Sequence, residues 1–413
     1  MKTLGVIAEY NPFHNGHLYH LNESKKISGA EACVAVMSGN FMQRGDVAVL
    51  SKWERAKIAV GCGVDLVLEL PFVYACNNAE YFAKGAVQIL DGISCVDTIS
   101  FGSESGNIEK LASVAKILLH ETPEFKEAMA ESLEKGSSFP KARADAMRAT
   151  FGEEEAEILE TPNNILAIEY IKEFMRIDSN ILPLTVQRKG QSHNEVLAQD
   201  FASATGIRKS IEEGNTENIK KHVPKECFEV LENLHKTEGS FNEDKDENLF
   251  LLVCGKIFSH SETELEEIFS AGEGLGFKMK KAVRNVQTLE DLTMEIKSKR
   301  YTRTRIQRLL MHTLFDFKGA DFREILDSKM NYARVLAFNE KGASLLKQIK
   351  KTEPKIPVIT NINKQFRDDS EVAKLLHYDI LASDIYNLIS DKDVRKNSDF
   401  VMSPYVGTEV TDD

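Results

Sequence analysis

Two short stretches of this chain carry residue types at spacings that could do chemistry. The first is His14-Asn15-Gly16-His17, with His20 three positions on, directly after the apolar run containing Leu4, Val6 and Ile7. Two imidazoles flanking a glycine-containing turn can both donate hydrogen bonds to one phosphate group. A helix beginning there would add unpaired N–H groups and partial positive charge. Charge accumulates on the α-phosphate and pyrophosphate oxygens during nucleotidyl transfer, so donors fixed in advance lower that barrier. The second stretch is Ser203-Ala204-Thr205-Gly206-Ile207-Arg208. The Ser203 and Thr205 hydroxyls and fresh helix N–H groups suit β- and γ-phosphates, and Arg208 can neutralise a leaving pyrophosphate. A hydroxyl residue before a helix is usually only its cap; the pairing with His14 and His17 favours the nucleotide reading. A zinc site at His14, His17 and His20 is the weaker reading, because no carboxylate or cysteine stands at ligand spacing. No resident metal is expected.

A third feature is the basic run Lys297, Lys299, Arg300, Arg303, Arg305 and Arg308, preceded by Lys278, Lys280, Lys281 and Arg284. The formal net charge of the chain is -12, so an RNA partner would need a local patch of this kind. Arginine and lysine would pair with backbone phosphates, and Tyr301 could stack on a base. The same run is equally readable as a solvated helix face.

The elements that must position these residues alternate between strand and helix. Apolar runs at 4–7, 32–37, 64–70 and 96–101 are separated by helical patterns at 16–27, 52–60 and 77–90. Asn11-Pro12 ends the first strand. This alternation predicts a Rossmann-like, doubly wound parallel sheet of the α/β class, with ligands at the carboxyl ends of its strands. The loops at His14, Asn40–Arg44 and Gly102 should therefore converge. Residues 108–160 read as a helical insertion. Thr161 is the expected N-cap and Pro162 the first position of a helix to 175. A strand at 181–186 then delivers Gln187-Arg188-Lys189-Gly190 to the same rim. The expected organisation is a nucleotide-binding domain over 1–214, a helical domain over 215–330 and a small α/β module over 331–413, with 408–413 frayed.

The chain has 413 residues, enough for two or three domains with their own cores, and ordinary globular proportions of 42% hydrophobic and 28% charged residues. Six scattered cysteines without a CxxC pair point to a reducing compartment. No secretory leader is visible. The most apolar stretch, 64–73, is interrupted by Asp65, Glu69 and Pro71 and is too short to span a bilayer. A cytoplasmic protein without a membrane partner is expected, and no protein partner is inferred.

The HxGH and SxTxIR motifs resemble those of the HIGH-type nucleotidyltransferase superfamily. The fuller stretches are Ala8-Glu9-Tyr10-Asn11-Pro12-Phe13-His14-Asn15-Gly16-His17, Ser38-Gly39-Asn40-Phe41-Met42-Gln43-Arg44-Gly45, Phe101-Gly102-Ser103-Glu104, Pro162-Asn163-Asn164-Ile165-Leu166-Ala167 and Gln187-Arg188-Lys189-Gly190. Together they resemble the bacterial tRNA(Met) cytidine acetate ligase family over nearly the whole chain. Where the superfamily often has a second hydroxyl before the threonine, this chain has Ala204. The resemblance implies that ATP and acetate give acetyl-adenylate, whose acetyl group passes to N4 of the wobble cytidine of elongator tRNA(Met). It also implies that Ile7, Ala8, Glu9, Tyr10, Asn11, Pro12, Phe13, His14, Asn15, Gly16, His17, Leu18, Tyr19, His20, Gly102, Asn163 and Arg188 hold the nucleotide. Gln43, Arg44 and Lys189 are the candidates for acetate, and Mg²⁺ is expected to accompany ATP. The alternatives are a small-molecule nucleotidyltransferase or carboxylate-activating synthetase with the same phosphate chemistry, and an ATP-binding protein without turnover.

Overall fold

The second and third strands are unbroken buried runs and the first is buried over Thr3 to Val6, as a sheet covered by helices on both faces requires. In the computed structural model, which describes residues 1–188, 204–238, 245–328, 330–362, 371–390 and 393–407, they alternate with helices in chain order. These are β1 (Thr3–Ala8), α1 (Asn15–Ser28), β2 (Ala32–Ser38), α2 (Lys52–Gly61) and β3 (Leu66–Leu70). There follow α3 (Phe72–Ala75), α4 (Ala79–Gly92) and β4 (Thr98–Ser103). The segment read as an insertion forms α5 (Ile108–Leu119), α6 (Pro123–Glu134), α7 (Phe139–Thr150) and α8 (Glu153–Ile158), and α9 (Pro162–Arg176) leads into β5 (Leu182–Gln187).

Strands β1 to β5 are parallel and lie in the order β5-β4-β1-β2-β3. The winding reverses between β1 and β4, which makes the crevice beyond their carboxyl ends the natural ligand position. Ala8 and the loop to His14 leave one side of that crevice, and Gly102 in β4 leaves the other.

Helix α10 (Ala204–Glu212) carries the second motif, and the stretch read as helical from 215 on contains α11 (Thr216–His222), α12 (Lys225–Glu238), α13 (Lys245–Ser259), α14 (Glu262–Glu267), α15 (Leu275–Ala282), α16 (Leu289–Ile296), α17 (Arg303–Leu314) and α18 (Gly319–Ser328). Buried Val253, Ile257, Leu292, Ile296, Ile306 and Leu310 hold α13, α16 and α17 together. Helix α17 is also tied to the sheet domain. Buried His312 lies 2.8 Å through Nε2 from the Cys76 carbonyl, and Phe315 packs against Phe41 and Phe72 with ring centroids 4.9 and 4.0 Å away.

The C-terminal residues form β6 (Ala333–Phe338), α19 (Glu340–Lys351), β7 (Val358–Ile359), α20 (Glu371–Ile389), α21 (Val394–Asn397) and β8 (Tyr405–Val406). This α/β module is not free-standing, since β6 adds antiparallel to β3 and carries β7 and β8 on its outer edge. A buried charge cluster fixes the join. The Lys52 ammonium lies 2.8 Å from both Glu69 and Asp399, and Arg334 of β6 lies 2.6 Å from Asp399. The frayed end expected at 408–413 lies outside the described residues.

Candidate active site

Helix α1 begins with a reciprocal cap made of imidazoles. His14 is the N-cap; its Nδ1 accepts from the His17 N–H, and the His17 Nδ1 accepts from the His14 N–H, each at 3.3 Å. The rings stack with centroids 3.7 Å apart, and His17 meets Tyr10 and Phe13 edge-on. Helix α1 already contains Gly16, which is not among the residues with positive φ. The sharp turn expected at Asn15-Gly16 is therefore absent, and the chain reverses before His14.

This cap determines which nitrogens are protonated. Burial, reinforced by the Arg188 charge, pushes the His14 imidazole down to about 4. Burial and then His14 itself push His17 well below the ordinary histidine value. Both rings are neutral near pH 7, and with Nδ1 accepting, each proton sits on Nε2. Among the described residues neither Nε2 has a protein partner, so both N–H groups can be given to an anion. His20 differs: its Nε2 lies 3.3 Å from Ser100 Oγ and 3.4 Å from Ser24 Oγ. Its ring is committed to β4 and α1, and burial again leaves it neutral, at about 4.

The opposite side of the crevice is fastened by Glu104. One of its oxygens accepts from the Asn163 amide at 2.6 Å and the other from the Asn164 N–H at 2.8 Å. Asn164 Oδ1 accepts in return from the Glu104 and Ser105 N–H groups. A carboxylate at the start of α9 is favoured by the helix dipole. It replaces the cap expected from Thr161, whose side chain makes no capping bond. Arg188, leaving β5, donates to Asn163 Oδ1 at 3.4 Å and lies against Gly102, where an added Cβ would meet Arg188 Cγ at 3.3 Å. Gly102, Asn163 and Arg188 are thus brought together.

Helix α10 joins the rim through Arg208, which donates to the Asn11 carbonyl at 3.0 Å and to Thr205 Oγ1 at 3.2 Å. Ile207 beside it is buried in the same cluster as Tyr10 and Phe13. The second motif is therefore physically attached to the first. Ser203 and Lys189 lie outside the described residues.

Between these sides stands the loop after β2. Gln43 donates its N–H to Glu9 Oε1 at 2.7 Å. Burial holds the Glu9 carboxyl above its usual value, opposed by that bond and, more weakly, by Arg208 and Arg44. Arg44 is exposed. The sequence reading missed Arg55, which is fully buried in α2. Its guanidinium donates to the carbonyls of Glu9 (2.6 Å), Ser38 (3.1 Å) and Leu50 (3.1 Å), and to that of Gly39. It pins the ends of β1 and β2 together, and nothing in the helical periodicity of 52–60 distinguishes it.

The basic run is not uniform in its pairing. Arg300 pairs with Glu273 and Arg303 with Glu290, while Lys297 and Lys299 are exposed. Tyr301 is buried and gives its hydroxyl to Glu273, with Arg305 over its ring, so it is not the free stacking surface expected. Arg308 donates to the Gln43 carbonyl at 3.3 Å and thereby reaches the nucleotide rim.

A doubly wound sheet with paired neutral imidazoles at its switch point, and an arginine from a later helix on the same loop, is the arrangement that a nucleotidyltransferase of the HIGH type requires. Comparison with known proteins agrees. Residues 1–399 match the HIGH Nucleotidyl Transferase family. The chain is 44% identical over 394 residues to the tRNA(Met) cytidine acetate ligase of Caldanaerobacter subterraneus subsp. tengcongensis, covering 94% of this chain and 95% of that one. It is 42% identical over 404 residues to that of Thermoanaerobacter sp. strain X514, covering 97% and 98%. Its fold matches the crystal structure of Thermotoga maritima TmcAL bound with alpha-thio ATP with a TM-score of 0.91, at 34% identity, over 99% of this chain and 100% of that one. The chain belongs to the tRNA(Met) cytidine acetate ligase family. Among the described residues no helix is long and apolar enough to cross a membrane.

Proposed function

We propose that this chain is a cytoplasmic ligase that activates acetate with ATP and transfers the acetyl group to N4 of the wobble cytidine of elongator tRNA(Met). The observation that carries the chemistry is the imidazole pair, with both Nε2–H groups free of protein partners among the described residues. Near full-length similarity to ligases of that name supports the substrates. In the first step an acetate oxygen attacks the α-phosphorus, the bond to the pyrophosphate oxygen breaks, and acetyl-adenylate remains. In the second step N4 attacks the acetyl carbonyl, AMP leaves with the C–O bonding pair, and N4 releases one proton.

His14 and His17 donate to α-phosphate and pyrophosphate oxygens as negative charge grows on them. Arg208, Thr205 and Ser203 receive the departing pyrophosphate. The segment from Ile7 to His20, with Gly102, Asn163 and Arg188, holds the nucleotide. Gln43, half-buried beside Glu9, and Lys189 receive acetate. The charge of exposed Arg44 suits an entering polyanion better than a small acid beside the α-phosphate. Among the described residues no group of acidic, histidine or cysteine side chains is arranged to hold a metal; the rim carboxylates Glu9 and Glu104 are engaged by Gln43, Asn163 and Asn164, so Mg²⁺ would enter on the phosphates of ATP.

The test incubates the protein with ATP, Mg²⁺, labelled acetate and bulk tRNA. Label confined to tRNA(Met) supports the proposal. Acetate-dependent pyrophosphate release that tRNA never captures would point instead to a small-molecule synthetase, and ATP binding without turnover to a non-catalytic protein.

A further inference from the structure

The cations around the loop after β2 divide into matched and unmatched groups. Arg300 and Arg303 each have a carboxylate, Glu273 and Glu290. Arg44, Arg305 and Arg308 have no ion pair among the described residues. Arg305 lies over the Tyr301 ring, 4.5 Å from its centroid, and reaches the Ser270 carbonyl at 3.5 Å. Among the described residues Arg308 bonds only the Gln43 carbonyl, and its guanidinium is disfavoured first by burial and further by the neighbouring Arg305. The one carboxylate of the loop, Asp46, is engaged by the Gln307 amide at 3.2 Å.

These residues form one facet because α17 rests directly on the loop. Gly45 has φ +88°, and a Cβ there would lie 2.7 Å from the Arg308 nitrogen. The adjacent Arg44 therefore emerges beside the start of α17, where positions 305 and 308 share a helix face. The facet adjoins Gln43 and Glu9, and so opens onto the rim where acetyl-adenylate would form. Glu9 and Asp46 lie nearby but are engaged by the Gln43 N–H and the Gln307 amide, so Arg305 and Arg308, which repel one another, and Arg44 are left to be matched by an incoming anion. A phosphodiester fits best, because planar guanidiniums bind its oxygens in pairs.

We propose that Arg44, Arg305 and Arg308 are the seat for the RNA backbone phosphates that flank the reacting cytidine. This rests on the tRNA-acetylating reading given above. It also assigns Arg303 no part in binding.

The experiment measures equilibrium binding of a tRNA(Met) transcript, as a function of salt, to the full-length protein and to the variants Arg305→Gln, Arg308→Gln and Arg303→Gln. Melting temperatures serve as the control for folding. Arg305→Gln and Arg308→Gln should each weaken binding about tenfold, the worth of a charge-assisted phosphate contact. Each should also flatten the log–log salt slope by about 0.7–0.9, while Arg303→Gln stays within about twofold of wild type because Glu290 already matches its charge. Arg305 is half-buried and makes no hydrogen bond to the Gln43 loop among the described residues, so its variant keeps the test decisive if Arg308→Gln loosens that loop. Unchanged affinity in Arg305→Gln, with wild-type protein acetylating tRNA normally, overturns the seat alone. Equal losses in all three variants also overturn it, in favour of a diffuse patch. Wild-type protein that consumes acetate and ATP but never labels tRNA overturns the functional reading and the seat with it.

Discussion

Replacing His17 by alanine separates the two tasks of the imidazole pair. The substitution removes one Nε2–H donor and also the Nδ1 that accepts from the His14 N–H at 3.3 Å. The first loss is catalytic: deleting one preorganised donor to developing charge costs about 2.7–4 kcal/mol, or roughly 10²–10³ in kcat. The second is half of a helix cap, worth about 0.5–2 kcal/mol of stability, which a domain of this size survives folded. Because His14 stacks on His17 at 3.7 Å, removing both rings should cost less than the sum of the single losses. Acetate-dependent exchange of pyrophosphate into ATP reads the first step without tRNA, and a melting curve reads the cap. Exchange within about tenfold of wild type would refute the donor role. The neutral state of the rings is tested on the same assay. Donation from neutral Nε2–H keeps the rate flat from pH 8 to about 5, whereas a rate that climbs as pH falls through 6.5 would mean that imidazolium is the donor.

Three further outcomes follow from buried groups. His14, His20 and His312 are each held at about 4 by burial, against 6.5 when unfolded. The unfolded chain therefore binds more protons between those values, so stability is complete above pH 6.5 and falls as pH drops towards 4, by up to roughly 3 kcal/mol for fully buried His312. Urea midpoints that do not move between pH 7 and 5 would contradict this. Lys52→Met leaves Glu69 and Asp399 buried with only Arg334 to balance them; a loss of about 3 kcal/mol in urea unfolding is expected, and less than about 1 kcal/mol would count against a structural role for the cluster. Glu104→Ala removes the acceptor for both Asn163 and Asn164, and should cost about 1–2 kcal/mol of stability. Since Asn163 faces Arg188, it should also raise KM for ATP more than it lowers kcat, and an unaltered KM would disprove that link.

The sheet was legible because most parallel strands are dominated by apolar residues and the loops that follow them carry polar or glycine residues. The convergence of His14, Gly102, Asn163 and Arg188 followed from that topology and from the family resemblance. What escaped was of two kinds. Helix starts were misjudged where the cap is unusual: histidine is not a customary N-cap, so Gly16 was credited with a turn that His14 makes unnecessary. Likewise Thr161 was credited with the work of Glu104, which lies in a different loop. The other kind is long-range pairing. Lys52 meets Asp399 across 347 positions, and Glu290 cancels Arg303 from a separate helix. No local pattern signals such partners, which is why a run of cations in sequence divided into matched and unmatched members in the fold.

That division extends beyond the run. Arg55 bonds the carbonyls of Glu9, Ser38, Gly39 and Leu50, Arg208 that of Asn11, and Arg308 that of Gln43, while Arg188 bonds the amide oxygen of Asn163. Away from the rim, Arg143, Arg148, Arg176, Arg300, Arg303 and Arg334 all face carboxylates. A guanidinium bonded to a neutral oxygen still orients the loop it touches through a charge-assisted hydrogen bond, and its charge is not cancelled by the partner. Four arginines used in this way fix the loops around the crevice with no ion pair among the described residues, in a chain of net charge -12. Two polyanions, ATP and tRNA, would have to enter the same crevice, and a rim built with ion pairs would have to break them each time. Carbonyl-anchored arginines avoid that cost, because their charge is uncommitted before either ligand arrives.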